Sequence, residues 1–189
     1  RGYDVLIVYA DREHSANLSY LTGFDPRFEE AILVLGRKGQ PAILVGNECW
    51  GTAGAAPLPM RRIMFQDLSL NDQPRARSQP LDHILRSEGV ERGARVGVAG
   101  WKTYARSDWL EAPAFLADTI REIVGPGGVV ETASAIFSDP ADGLRTTNEV
   151  EQLIAFEYAA CHTSEAVKRL LRGQRPGRTE QDAVRVRGG

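Results

Sequence analysis

The chain has 189 residues, of which 42% are hydrophobic and 25% charged, and its formal net charge is −2. That is the balance of an ordinary globular chain, long enough for one large domain or for one domain and a piece. The small charge gives no electrostatic footprint for nucleic acid, no apolar run approaches the ~20 residues of a membrane span, and no signal peptide is visible. Cys49 and Cys161 make neither a disulfide framework nor a CxxC motif, so free thiols in a reducing, cytoplasmic setting are expected.

Residues 4–10 (DVLIVYA) form a short apolar run rich in β-branched residues, which suits a strand buried on both faces. Asp11, Glu13 and His14 follow at a predicted helix start. Residues 31–35 and 42–46 repeat the apolar pattern around a turn at 36–39, a predicted hairpin. Cys49 and residues 51–59 read as loop, 61–65 as a weaker strand, and 67–80 as a polar loop. A helix is predicted over 80–88 and a buried strand over 95–100. Residues 112–124 make an amphipathic helix with Phe115, Leu116, Ile120 and Ile123 inward, stopped by the glycines at 125–128. A last strand is predicted over 129–133. Strands first, then alternating helices and strands, argue for a three-layer α/β domain with a mixed sheet over residues 1–138.

Residues 138–143 are rich in Pro, Gly and Asp and read as a linker. Beyond them lies a long helix. Thr146 and Glu149 have capping-box spacing, apolar residues recur at helical intervals from Val150 to Leu171, and Gly173 and Pro176 mark the stop. Such a helix spans roughly 40 Å, a length suited to connecting two bodies. Thr179 and Asp182 then spell a second helix start shortly before the chain ends in RVRGG. The chain therefore reads as a front half, with residues 139–189 forming a linker and the first helix of a second domain.

No complete catalytic constellation is visible. His14, His83 and His162 are the only histidines, and none lies in an HExxH arrangement. His14 reads as a solvated cap, His83 as surface, and His162 as an interface residue beside Cys161. There is no GxGxxG, P-loop or GxSxG, and residues 97–100 supply only GxxG. Glu29 and Glu30 are neighbours at a strand entry and should face opposite ways. The loop at 23–30 (GFDPRFEE) stands out. Phe24, Arg27 and Phe28 give it a recognition composition. The bland alternative is that Phe24 anchors the loop to the core and that Arg27 pairs with Glu29 or Glu30.

Three segments carry a resemblance. Residues 17–24 (NLSYLTGF) resemble the N-x-x-Y-L-T-G-F signature of the amino-terminal domain of the pita-bread metallopeptidase family, which includes aminopeptidase P, prolidase and creatinase. Residues 144–151 (LRTTNEVE) are similar to its LR-x-x-K-x-x-E-I junction, with Asn148 as a departure. Residues 173–182 resemble its PG-x-T-E turn. The resemblance implies a creatinase amino-terminal-domain-like fold of ribonuclease-H-like topology, followed by a long linking helix and a truncated pita-bread catalytic domain. It implies a hydrolase of the Xaa-Pro peptidase type, whose two divalent ions (Mn, Co or Zn) are held by two Asp, one His and two Glu beyond the PG-x-T-E turn. Creatinase-like members perform related C–N hydrolysis without metal. By this resemblance the chain itself carries no catalytic residue, metal ligand or cofactor. It would act on a peptide or small amide only through the absent domain. It would contribute dimerisation, as a homodimer, and close a partner's substrate pocket through Phe24, Arg27 and Phe28. A stand-alone interaction or oligomerisation domain is the alternative.

Overall fold

The computed structural model describes residues 2–187. Arg1 and the last two glycines of the RVRGG tail lie outside the described residues. By contacts the chain divides into two units, Arg1–Thr146 and Thr147–Gly189. Each is described by itself.

The first unit is built on a six-stranded mixed sheet. In chain order its strands are β1 (Val5–Ala10), β2 (Ala31–Gly36), β3 (Ala42–Val45), β4 (Arg61–Met64), β5 (Arg95–Ala99) and β6 (Val129–Thr132). Their spatial order is β4-β3-β2-β1-β5-β6. Only β2 runs against the rest: it is antiparallel to β1 and β3, whereas β1–β5, β3–β4 and β5–β6 are parallel pairs. The run β3-β2-β1-β5-β6 with a reversed second strand is the ribonuclease-H-like order expected, with β4 added at one edge.

Because successive strand residues face opposite ways, each apolar run feeds two cores. Val5, Ile7, Ile32, Val34, Leu44, Val96 and Val98 pack on α3 (Leu81–Ser87) and α4 (Ala114–Val124). Val8, Ala10, Leu33, Ile43 and Val45 pack on Leu18 of α1 (Ala16–Thr22), Cys49 of α2 (Cys49–Ala53) and Phe137 of α5 (Ala135–Ser138). Helices on both faces of the sheet make the predicted three layers. In α4, Leu116, Ile120 and Ile123 are buried as expected, but Phe115 is exposed. At an amphipathic helix's first turn it lies off the stripe that the other three define.

The signature segment has a local physical account. Leu18 is buried, the Thr22 hydroxyl donates to the Leu18 carbonyl, and Gly23 adopts φ 70° as the left-handed cap, its N–H donating to the Ser19 carbonyl. A side chain at Gly23 would also strike Pro57 at 2.7 Å. The turn drops Phe24 into the core, 3% exposed.

Two local expectations are corrected. Cys49 is not in a loop but opens α2, whose first amides are held by a carboxylate twenty residues upstream, a partner that the local sequence does not reveal. In the second unit, α6 (Val150–Gly173) is not capped by a Thr146–Glu149 box. Glu149 is itself the N-cap and forms the box with Gln152, whose side chain accepts the Glu149 N–H at 2.9 Å. The Thr146 hydroxyl instead donates to the Gly143 carbonyl at 2.8 Å. No residue of α6 is buried. Helix α7 (Glu180–Arg187) begins at the predicted place, with the Asp182 carboxylate accepting the Thr179 N–H and hydroxyl. No helix among the described residues is long and apolar enough to cross a membrane.

Candidate functional site

The carboxyl ends of the parallel strands in the first unit gather the chain's polar burial. Register brings Ala10 opposite Ala31, Ala31 opposite Val45, and Val8 opposite Ala99. The segments that leave or enter the sheet there (11–15, 24–30, 46–48, 65–80 and 100–113) form one rim. Open α/β sheets bind ligands in the crevice outside such strand ends, where the chain crosses to the other side of the sheet.

Buried polar side chains build this rim from below. Glu29, 4% exposed, accepts the Glu48 N–H and the Cys49 N–H, both at 3.1 Å, at the start of α2. The Cys49 thiol donates to the Pro26 carbonyl at 2.9 Å. Burial, then the Glu29 charge, pushes that thiol up to about 12, so it is no nucleophile near neutrality. Gln66 donates to Asn47 at 2.7 Å and accepts the Arg77 N–H at 2.5 Å, pinning the polar 65–80 segment.

The loop singled out in the sequence sits on this base. Phe24 lies beneath it in the core. Arg27 takes φ 44°, unusual for a side-chain-bearing residue, with its N–H on the Asp25 carboxylate at 3.0 Å. Phe28 is 62% exposed. Arg27 makes no ion pair with Glu29 or Glu30 among the described residues. The structure thus brings Arg27 and Phe28 together at the surface and assigns Phe24 to anchoring, while Arg12 and Asp25 join Arg27 and Phe28 around a cleft of about 370 Å³.

The strand ends add Tyr9, Trp101, Glu111 and Pro113, which the sequence did not flag, to Asp11 and His14, which it read as a solvated cap. Tyr9, Asp11, His14, Trp101, Glu111 and Pro113 line a second cleft of about 230 Å³. His14 stacks on Trp101 with centroids 4.5 Å apart, and its Nδ1 lies 3.0 Å from the Asp11 carboxylate. Glu111 holds the Trp101 loop: its Oε2 accepts the Trp101 and Lys102 N–H groups at 2.7 and 2.6 Å, and its Oε1 accepts the Tyr104 hydroxyl at 3.1 Å. Burial pushes the Glu30 carboxyl up, and the Asp11 and Glu29 charges add to this, outweighing the Tyr9 hydroxyl bond. Burial, then the Glu30 and Asp11 charges, raises the Tyr9 phenol. At Asp11 burial acts upward, but hydrogen bonds from His14 and the backbone at 13–14 prevail and lower it. A third cleft of about 290 Å³ shares Asp11, Arg12 and Phe28 and adds Glu30 and Leu70.

A more spacious cavity, about 750 Å³, lies at the opposite end of the sheet around Asp4, Arg37, Lys38, Arg61, Glu88 and Arg92. It is walled by ion pairs, Arg37–Asp4 at 3.1 Å and Arg61–Glu88, and no aromatic side chain among the described residues lines it. Size alone does not make it the site.

Among the described residues no three His, Cys, Asp or Glu side chains converge to hold a metal ion. His14, His83 and His162 are well apart in sequence and partnered differently. His83 is exposed near Asp82, and His162 meets Tyr158 edge to face. The described residues therefore do not fit the pair of divalent ions that the resemblance implies.

The rim and its sheet define a class: the three-layer α/β fold found in the amino-terminal part of prolidases and Xaa-Pro peptidases. Among similar solved structures are an X-Pro aminopeptidase from Thermotoga maritima (TM-score 0.65, 11% identity, 98% of this chain and 45% of that one). A prolidase from Thermococcus sibiricus matches with TM-score 0.64, 15% identity, and coverage of 98% and 44%. A prolidase from Pyrococcus furiosus matches with TM-score 0.62, 13% identity, and coverage of 97% and 46%. This chain thus spans less than half the length of those proteins. No family model matches the sequence, and no curated protein matches it.

Proposed function

We propose that the chain is the amino-terminal part of an Xaa-Pro peptidase-like hydrolase, or of a creatinase-like one. Its rim would form one wall of a substrate pocket completed by another body. The supporting observation is the rim itself. Its three clefts, about 230, 370 and 290 Å³, lie at or below the small end of the range for a pocket that encloses a ligand, about 300–1,000 Å³, yet they carry the exposed Phe28, Leu70 and Trp101. In this reading Arg27 and Phe28 close the pocket, Phe24 anchors them, and a homodimer in the cytoplasm is the working form. The metal-dependent chemistry belongs to a domain not present here.

Two measurements test this. The 189-residue chain, incubated with an Xaa-Pro dipeptide and Mn²⁺ or Co²⁺, should show no turnover; hydrolysis would overturn the reading. In the native protein, Arg27→Ala combined with Phe28→Ala should raise KM severalfold with kcat little changed, because only binding common to ground and transition states is removed. Unchanged kinetics would remove the rim from the site.

A second reading, an interaction domain without an attached enzyme, is favoured by one observation. Val150, Ile154, Phe156, Tyr158 and Leu171 are all more than half exposed on α6. The coding sequence downstream of Gly189 separates the two readings, since two Asp, one His and two Glu in that order would decide for the metalloenzyme.

A further inference from the structure

Two sequence motifs that lie 128 positions apart meet at one side chain. Asn17 of the NLSYLTGF segment is 4% exposed. Its Nδ2 donates to the Gly100 carbonyl at 2.6 Å, and its Oδ1 accepts from Arg145 Nη1 at 2.9 Å. Arg145 belongs to the LRTT segment, the last residues of the first unit. Gly100 immediately precedes Trp101.

The Gly100 peptide is gripped from both sides. Its N–H donates to the hydroxyl of Ser134, a buried residue at the start of α5, at 3.1 Å. That helix receives the exit segment in turn: the Leu144 N–H donates to the Ile136 carbonyl at 2.8 Å and the Arg145 N–H to the Phe137 carbonyl at 2.9 Å. Arg145, Asn17, Gly100, Ser134 and α5 therefore close a ring. Space at Gly100 is tight as well, since a Cβ there would lie 2.4 Å from the Glu111 carbonyl oxygen. Glu111 is the residue whose carboxylate holds the Trp101 and Lys102 amides.

We infer that Arg145 and Asn17 are positioning residues for the aromatic rim, coupling the segment that leaves the first unit to the loop that carries Trp101. Among the described residues Arg145 makes no hydrogen bond or ion pair to the rim, and it acts through the Asn17 amide. A buried amide with one oxygen and one NH₂ group can serve both partners only in one orientation. Arg145 supplies a charge-assisted donor that fixes that orientation, leaving the NH₂ for Gly100. When the exit segment shifts, the amide loses its donor, the Gly100 carbonyl loses its fixed partner, and the stack of Trp101 on His14 loosens. The ring explains why both motifs occur in one chain: each supplies half of a contact that neither sequence context displays.

Hydrogen exchange on the 189-residue chain tests the coupling. Removing a charge-assisted bond of this kind should raise exchange about tenfold at the Trp101 and Lys102 amides in Arg145→Ala. Exchange in the 31–36 strand should stay unchanged. Arg145→Lys, which retains one donor, should recover most of the protection. Asn17→Asp keeps the acceptor for Arg145 but cannot donate to Gly100, so it should loosen the same amides despite a stronger pair with Arg145. Adding Arg145→Ala to Asn17→Asp should then change nothing further at those amides. Arg61→Ala, at the other end of the sheet, should leave them at the wild-type rate. Wild-type exchange at residues 101–102 in Arg145→Ala, or additive effects in the double variant, would overturn the inference. Arg145 is largely exposed, so its replacement should leave the core folded. If Arg145→Ala does unfold, Asn17→Asp alone decides: wild-type exchange at residues 101–102 in that variant would overturn the inference.

Discussion

Glu29 lies beneath the rim and Glu30 on it, although they are adjacent in sequence. The strand period that separates them was legible in advance, but the partners that give each its role were not. Glu29 satisfies two amides at the start of α2, so Glu29→Ala leaves both without a protein partner. It should cost roughly 2–4 kcal/mol, read as a lowered midpoint in urea at constant slope. A loss below ~1 kcal/mol would mean that water reaches those amides freely. Glu30 behaves in the opposite sense. Its carboxyl is raised in the fold, so the folded chain binds that proton more tightly than the unfolded chain does. The corresponding stability is complete below the unfolded value, about 4.3, and is lost as pH rises through the folded one. Glu30→Gln removes that loss. The difference in melting temperature, variant minus wild type, should grow more positive from pH 4 to pH 7; a flat or falling difference would contradict the assignment. The loop beside these residues was recognisable from Phe24, Arg27 and Phe28. Which of its two phenylalanines faces water depends on the Gly23 turn and on Pro26 being held by Cys49, contacts that no residue pattern displays.

At the scale of elements, strands were easier to read than helices. Apolar β-branched runs buried on both faces announce themselves, and all six strands fall within a residue or two of their predicted bounds. Short helices are less consistent: the seven-residue α3 falls within its predicted bounds, but α2 was read as loop. The five residues of α2 contain Gly51 and Thr52, weak helix formers, and the helix exists because Glu29 holds its first amides. The start of α6 was displaced for a related reason. Thr146 has the right chemistry for an N-cap, but Gly143 and Asp139 engage it first, and Glu149 takes the role with Gln152. Glu149→Ala should therefore cost the α6 start about 1 kcal/mol, raising amide exchange at residues 150–153 about fivefold, while Thr146→Ala should leave those amides as they are. The reverse pattern would restore Thr146 as the cap.

At the scale of the whole molecule, every buried apolar side chain among the described residues lies in the first unit. The two apolar clusters end at Val124 and at Phe137, and the 24 residues of α6 bury none of their number. Residues 138–143 read as a linker, yet the segment 139–146 is tied to that unit by the Leu144 and Arg145 amides and by the Arg145–Asn17 bond. Their Pro, Gly and Asp content signals a turn but cannot show that the turn folds back. The functional content divides along the same line. The rim residues and their ring all precede residue 147, whereas the acids and histidine that the resemblance assigns to catalysis would follow residue 182. A chain cut after Thr146 should consequently keep the whole core, the rim and the ring. Residues 1–146 should melt cooperatively with a midpoint within ~3 °C of the 189-residue chain, the shift that about 1 kcal/mol produces in a domain of this size. Cutting after Ser138 removes Arg145 and should cost more than that, with exchange at Trp101 and Lys102 rising alongside. Equal stability of the two fragments would mean that residues 139–146 are a linker after all and that the ring carries no weight in the fold.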